Sequence, residues 1–172
     1  MELRDVRVVF DDKVVFDHHD FTFPDSGVTM LVGASGAGKT TLLRALREKY
    51  PERGFLFQED RLFPRRTVLQ HLLDVMDEPN AARAAELLEL VELRGEEGSY
   101  PDQLSGGMAR RLALARCLAL GRAGYLLDEP FAGVDEPTQL RILERLKALG
   151  VPILFSSHNQ QLREKADAVV CL

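Results

Sequence analysis

The fold of this chain is decided by the stretch Leu31-Val32-Gly33-Ala34-Ser35-Gly36-Ala37-Gly38-Lys39-Thr40-Thr41. An apolar strand, a glycine-rich turn and a helix start follow one another there, in the pattern G-x-x-x-x-G-K-[ST]. Glycines let the backbone curl, so that successive N–H groups face one concavity at the positive end of the following helix. The stretch therefore predicts a phosphate-binding loop, with a glycine-rich turn that binds no ligand as the alternative.

Two side chains of this loop are suited to a nucleotide with bound metal. Lys39 can reach the β- and γ-phosphates, and Thr40 offers a hydroxyl to Mg²⁺. We therefore expect the rest of the chain to supply groups that act on a terminal phosphate.

Length and composition limit the class of protein. With 172 residues and 45% hydrophobic content, the chain can build one sizeable core and is small for two domains. The net charge of −5 and the lack of a long basic run argue against nucleic acid as the main partner. No apolar run approaches the roughly 18 residues of a membrane span. We therefore expect a soluble, cytoplasmic chain.

The first two strands are predicted to pair as a hairpin. Segments 3–10 and 13–23 are rich in Val and Phe, and the aspartates at 11–12 supply turn residues between them. Phe16 is expected in the core. Phe10, at the end of its strand, either packs in the core or stacks on an adenine ring near a nucleotide pocket.

Two further polar residues follow predicted strands. Gln58 comes directly after the strand 55–57, where its side chain either ligates Mg²⁺ or orients water, or is simply a strand-end residue. His158 ends the strand that begins at Val151, and its position suggests the γ-phosphate.

Asp128 and Glu129 stand side by side after the apolar strand 125–127. Two adjacent carboxylates at a strand tip are costly to place unless a cation or a proton transfer uses them. We expect Asp128 to hold Mg²⁺, directly or through water, and Glu129 to act as general base on the attacking water.

The middle of the chain is predicted to be helical. Leucines at helical spacing predict helices at 67–76 and 80–93, which would form a small lobe. A longer helix opens at Leu104-Ser105-Gly106-Gly107-Met108. Ser105 is a predicted N-cap, and an N-cap followed by two glycines is also an anion-binding helix terminus.

These motifs, in this order, resemble the ATP-binding subunit of ABC transporters over almost the whole chain. Four motifs match as stretches: Gly33 to Thr41 the Walker A loop, Leu104 to Gly107 the signature motif, Tyr125 to Asp128 Walker B with Glu129 next to it, and Gly133-Val134-Asp135 the D-loop. Two single residues match as well, Gln58 with the Q-loop and His158 with the switch histidine. Phe10 falls where the family has its adenine-stacking aromatic. The sequence at residues 58–62 and 104–108 is most similar to that of importers of the nitrate, sulfonate and thiamine-precursor type.

The resemblance implies an α/β fold of the P-loop NTPase kind. This ABC ATPase domain would have a mostly parallel central sheet, a reduced antiparallel β layer and a small helical subdomain. A single domain over 1–172 is implied, with the helical subdomain at about 61–120 inserted in the RecA-like core. ATP and Mg²⁺ are the implied cofactors, with Thr40, Gln58 and Asp128 at the metal.

The resemblance also implies a function and partners. ATP hydrolysis would power solute transport by a separate integral membrane permease, with a solute-binding protein as a further partner and no nucleic acid. Two copies would form a homodimer on binding ATP, each nucleotide lying between the Walker A loop of one copy and the signature helix of the other. The chain would then be peripheral on the cytoplasmic face of the membrane.

Two other functions share these motifs. A clamp in DNA repair or chromosome organisation uses the same ATPase head, but it needs long coiled-coil insertions, and this sequence has none. The second is a nucleotide-responsive binding module, or the ATPase of a non-transport ABC system, with weak turnover.

The sequence departs from the family pattern in three places. Met108 stands where the family usually has Gln. Lys39 and Gln58 are unusually close, so part of the β-rich segment between them is expected to be missing. The sequence ends at Leu172, soon after His158, without the usual C-terminal extension.

Overall fold

The computed structural model describes residues 1–10 and 13–172, without the side chains of Val9, Phe10 and Lys13. The predicted turn at 11–12 and the predicted role of the Phe10 ring lie outside the described residues. The strands are β1 Glu2–Phe10, β2 Lys13–Thr22, β3 Val28–Val32, β4 Gly54–Leu56, β5 Tyr125–Leu127, β6 Ile153–Ser156 and β7 Ala168–Cys171. The α-helices are α1 Lys39–Lys49, α2 Val68–Leu73, α3 Ala81–Leu90, α4 Gly106–Ala119, α5 Glu136–Lys147 and α6 Gln160–Lys165.

The centre of the fold is a parallel sheet of five strands in the order β4-β5-β6-β3-β7. Strands β1 and β2 form a separate two-stranded antiparallel sheet. The predicted α/β class is confirmed, as are the parallel central sheet and the small antiparallel layer. A 3₁₀ turn, Pro101–Gln103, precedes α4.

Side chains of the central strands alternate between two hydrophobic cores. Met30, Leu127 and Phe155 pack in one core with α2 to α6, whereas Leu31 and Leu154 pack in the other with α1 and the β1–β2 layer. This alternation follows from the two-residue period of a strand. Both faces of the sheet are therefore covered, as parallel sheets require.

The β1–β2 layer packs onto the phosphate loop through β2. Phe16, predicted in the core, is buried, and Phe21 packs edge-on against it at 5.2 Å between ring centroids. The exposed His18 and His19 lie on the same strand. The layer therefore supplies one wall next to the loop.

Helices α2, α3 and α4 form the helical lobe, and each begins at a polar cap. Thr67 and Asn80 cap α2 and α3 by accepting backbone N–H bonds, and α2 ends at Leu73, earlier than the leucine spacing predicted. Helix α2 carries His71, which is buried. No helix among residues 1–10 and 13–172 is both long and apolar enough to cross a membrane.

His71 fixes the loop in front of α2. Its Nε2 accepts the backbone N–H of Phe63 at 2.9 Å, and its Nδ1 contacts the Thr67 carbonyl at 2.8 Å. The Phe63 ring lies over the imidazole at 5.9 Å between centroids, while 56% of Phe63 remains exposed. The contacts of the buried His71 thus hold this loop with the apolar side chain of Phe63 exposed to solvent.

Candidate functional site

The carboxyl ends of four parallel strands meet at one edge of the sheet. In the register, Leu56 lies beside Leu127, and Leu127 lies beside Phe155. Leu31 lies beside Ser156. The loops that follow these strands border a cleft of about 430 Å³, lined by Val15, Ser35, Gly36, Gly38, Lys39, Thr40, Thr41, Gln58, Glu129 and His158. This strand-end cleft brings the three predicted catalytic residues next to the phosphate loop.

The phosphate loop is closely packed at Gly38. This residue has a φ of +96° and caps α1, and a Cβ added to it would lie 2.6 Å from both Phe16 and Val15. Gly36 also has a positive φ, +76°, but an added Cβ would meet nothing within 4 Å. Gly38 therefore satisfies two requirements, a left-handed backbone and a close approach of β2.

Lys39 opens α1 and is buried. Its Nζ donates hydrogen bonds to the carbonyl oxygens of Gly33 at 3.0 Å and Ala34 at 3.1 Å. The loop is further tightened by the Ala37 N–H, which donates to the Ala34 carbonyl at 3.1 Å. The ammonium group thus lies inside the curl of the loop, where phosphate oxygens would meet it.

Asp128 lies at the end of β5 and is only 2% exposed. The Ser156 hydroxyl donates to its Oδ1 at 2.8 Å, and the same hydroxyl oxygen accepts the backbone N–H of Glu129 at 2.9 Å. One serine at the end of β6 therefore holds the Asp128 carboxylate and the Glu129 backbone. Ser156 was not singled out in the sequence, although its position just before His158 on a strand end was a usable signal.

Glu129 projects into the cleft from a left-handed backbone with a φ of +49°. Its Oε1 lies 3.3 Å from Nε2 of His158. Burial raises the pKa of the Glu129 carboxyl above its usual value, and the nearby His158 and Lys39 act in the opposite direction. A partly desolvated carboxylate beside an imidazole is suited to accept a proton from water.

The residues predicted to hold Mg²⁺ offer only oxygen ligands. The Thr40 hydroxyl and the Gln58 amide line the cleft, while Asp128 lies beneath it and is already bonded to Ser156. Mg²⁺ prefers few carboxylates, several waters and phosphate oxygens. The donor set therefore fits a magnesium ion that arrives with a nucleotide and contacts Asp128 directly or through water.

The predicted signature residues do not line the cleft of their own chain. Ser105 caps α4 by accepting the Met108 N–H at 3.2 Å, as predicted, and both Ser105 and Gly106 are exposed. A Cβ added to Gly107 would lie 2.5 Å from the Gly133 carbonyl oxygen. The start of α4 is thus packed against the predicted D-loop, away from the phosphate loop.

Asp135, in the predicted D-loop, makes a hydrogen bond that stabilises the start of α5. It caps α5 by accepting the Thr138 N–H at 3.0 Å, which lowers the pKa of the Asp135 carboxyl. Leu104 is half-buried against the helical core. Neither residue reaches the strand-end cleft of its own chain.

The main residue that sequence reasoning missed is Arg110. It is 2% exposed and donates hydrogen bonds to groups that follow β4 and β5. Its position gave a weak signal, since about one turn into α4 its side chain points toward the sheet.

A glycine-rich loop at a helix N-terminus, beside strand-end carboxylates, defines a P-loop nucleotide-binding domain. Comparisons with known proteins identify the family. The sequence model described as "ABC transporter" matches residues 16–55 and 51–132. The chain belongs to the ABC transporter family.

Two curated relatives are import ATP-binding proteins. The sulfate/thiosulfate import protein CysA of Caulobacter vibrioides is 35% identical over 206 positions, covering 99% of this chain and 61% of the relative. The aliphatic sulfonates import protein SsuB 1 of Nocardia farcinica is 41% identical over 149 positions, covering 80% of this chain and 61% of the relative. The chain spans about three fifths of the length of these two relatives. Since 206 exceeds 172, the Caulobacter protein also carries residues inside the aligned region that this chain lacks.

A solved structure shows the same fold. The dimeric bacterial ABC transporter cassette MJ0796 superposes with a TM-score of 0.83 at 24% identity, over 99% of this chain and 93% of that chain. The expected ABC ATPase fold is therefore confirmed.

The packing at Gly38 predicts different losses at two glycines of the same loop. Gly38→Ala should lower the free energy of unfolding by about 2–5 kcal/mol, because a strained φ and a clash with β2 add together. Gly36→Ala should lower it by about 1–2 kcal/mol, because only the φ is strained. Urea denaturation of both variants measures the difference, and equal losses would contradict the packing described here.

Proposed function

We propose that this chain is the ATP-hydrolysing subunit of an ABC importer and powers solute transport by a separate membrane permease. The observation that carries the proposal is the strand-end cleft, in which Lys39, Glu129 and His158 converge from three different strand ends. The curated relatives named above are import ATP-binding proteins, which supports the transport role.

The residues of the cleft divide into binding and chemical roles. The backbone N–H groups of residues 33–41 and the Lys39 ammonium hold the phosphates of ATP. Glu129 accepts the proton of the attacking water, and His158, 3.3 Å from Glu129, donates a hydrogen bond to the γ-phosphate or to that water. Gln58, which lines the same cleft, orients water.

Magnesium belongs to the proposed cofactors together with ATP. Thr40, Gln58 and Asp128 would hold it, and it would neutralise charge on the terminal phosphates. The phosphate loop follows β3 and the carboxylates follow β5, with only β6 between these two strands, which supports this assignment.

The catalytic assignment predicts a separation of binding from turnover. Glu129→Gln should leave ATP affinity within about threefold and lower kcat at least about 100-fold, because the base is lost while the phosphate loop is untouched. Lys39→Ala should weaken both binding and turnover. Phosphate release at saturating Mg-ATP measures kcat, and a direct binding assay measures the ATP affinity of each variant. Glu144→Gln, at an exposed site on α5, is the matched control.

Near-normal hydrolysis by the Glu129→Gln variant would remove Glu129 from the base role. Absence of turnover in the wild-type chain, with ATP still bound, would instead favour the nucleotide-responsive binding module.

The second part of the proposal is that each active site is shared by two copies of the chain. The N-terminus of α4 with Ser105 and two glycines favours an anion, yet it lies outside the cleft of its own chain. A two-fold pair would place this helix terminus on the partner's ATP and create two identical sites. The related cassette MJ0796 was solved as a dimer, which supports this assembly.

The shared site predicts that an inactive variant of the chain lowers the ATPase activity of the wild-type chain when the two are mixed. A chain with both Lys39→Ala and Ser105→Arg forms mixed dimers with no intact site, so equal random mixing should lower wild-type ATPase activity to about half. A chain with Lys39→Ala alone keeps its signature helix and should lower the activity less. The assay is phosphate release, with subunit exchange followed by a labelled chain. An unchanged ATPase rate, with subunit exchange confirmed, would contradict the shared site.

The third part of the proposal places the permease contact beside the Q-loop. An apolar cleft of about 300 Å³ lies between the segment after β4 and helix α4, with Phe57, Phe63 and Val75 in its wall. The Arg61 guanidinium lies 3.9 Å from the centroid of the Phe57 ring and pairs with the Glu59 carboxylate at 3.1 Å, so the rim carries charges of both signs. An apolar floor with a charged rim is suited to bind a short segment of another protein. The chain would thereby be peripheral on the cytoplasmic face of the membrane, where a solute-binding protein is a further, indirect partner.

This contact predicts a loss of membrane association without loss of ATP hydrolysis. Phe63→Ser should reduce, at least about tenfold, the share of the chain bound to membranes that contain its permease subunits. ATPase activity of the isolated chain should stay unchanged, because Phe63 is 56% exposed and does not line the strand-end cleft. Val169→Ser, at an exposed apolar site on the edge strand β7, is the control. Equal membrane binding by both variants would place the contact elsewhere.

A further inference from the structure

Arg110 is a buried cation surrounded by backbone carbonyl groups. Its guanidinium donates to the carbonyls of Phe57 at 2.8 Å and Gln58 at 3.1 Å, both just after β4. It also donates to the carbonyls of Asp128 and, at 2.9 Å, Glu129, both just after β5. A planar guanidinium has five N–H donors in a fixed fork, which a lysine or glutamine does not provide.

The charge of this guanidinium has one carboxylate partner. Oδ1 of Asp60 lies 2.9 Å from Arg110, and its side chain is 32% exposed whereas that of Arg110 is 3% exposed. The pair therefore lies at the border of the buried region, with the cation on the inside. A buried arginine without this partner would be strongly unfavourable.

The segments that Arg110 joins carry the chemistry of the cleft. Glu129 has a left-handed backbone, with its N–H bonded to Ser156 and its carbonyl bonded to Arg110. Gln58 is bonded to Arg110 through its carbonyl, which leaves its side chain free to line the cleft. The orientation of both side chains thus depends on backbone atoms that one residue holds.

Arg110 belongs to the same helix as the signature residues. Helix α4 begins at Gly106, and Gly107 is in backbone contact with Gly133 in the D-loop. Arg110 lies about one turn further along α4. A displacement of the start of this helix would therefore be carried to the carbonyls of Gln58 and Glu129 through a single side chain.

We propose that Arg110 is a positioning residue for ATP hydrolysis, which links the signature end of α4 to the backbone of Gln58 and Glu129 in the same chain. The inference deepens the proposed ATPase function and rests on it. None of the hydrogen bonds of Arg110 reaches the phosphate loop; it acts through the backbones of Gln58 and Glu129, whose carbonyls it binds.

The test separates kcat from KM in steady-state ATPase assays on the whole chain. Arg110→Gln should lower kcat about 10- to 100-fold, because small misplacements of catalytic groups cost this much. KM for ATP should change less than about threefold, because none of its hydrogen bonds reaches the phosphate loop. Arg110→Lys keeps the charge but satisfies fewer carbonyls, so its kcat should lie between those of the wild-type chain and Arg110→Gln.

The neighbouring Arg111 supplies the matched control. It lies on the same helix and donates to the carbonyls of Val91 and Glu92 in the helical lobe, away from the cleft. Arg111→Gln should therefore lower the free energy of unfolding but leave kcat within about threefold at a temperature where the chain is folded. A kcat for Arg110→Gln equal to that of Arg111→Gln would overturn the positioning role.

Hydrogen–deuterium exchange gives a readout that does not need turnover. The amides of Asp128, Glu129 and Ala132 are bonded within this region, and they should exchange faster in the Arg110 variants but not in Arg111→Gln. Unchanged exchange at these amides would overturn the proposal even if kcat falls. A wild-type chain that binds ATP without hydrolysing it would refute the ATPase function, and the exchange result would still decide whether Arg110 holds these backbones.

Discussion

The register of the parallel strands is the constraint on which the rest of this structure depends. Hydrogen bonds between β3, β6, β5 and β4 put Met30, Phe155, Leu127 and Leu56 at one level of the sheet. The residues that follow these strands must therefore lie at one edge of the sheet. A one-residue slip would turn Leu127 from one core to the other, move Glu129 out of the cleft and move Asp128 from its place beneath the cleft.

Much of this arrangement could be predicted from the sequence. The phosphate loop has a pattern whose glycines and lysine have few other uses, and each chemical residue after β4, β5 and β6 follows an apolar strand of the kind that parallel sheets bury. Strand-end position alone therefore brought Gln58, Glu129 and His158 together. Helix ends were less predictable: the leucine spacing extended α2 to Met76, whereas the hydrogen bonds end it at Leu73.

The contacts that orient the site could not be predicted in this way. Ser156 and Arg110 act through hydrogen bonds to residues 18 to 53 positions away, and such contacts leave no local pattern in the chain. Arg110 in particular looks like a surface charge on a helix, since arginine is rarely buried. Only the packing of α4 against the sheet shows that its guanidinium satisfies carbonyls of two strand ends.

The contacts of His71 make the apolar surface around Phe63 sensitive to acid. Its ring must stay neutral for Nε2 to accept the Phe63 N–H, and burial lowers the pKa of the His71 imidazole below its usual value. The unfolded chain then binds the proton more readily, so this part of the fold loses stability as the pH falls below about 6.5. Protonation would also convert the acceptor into a donor facing another donor. Proton concentration and the presentation of this surface are therefore thermodynamically coupled.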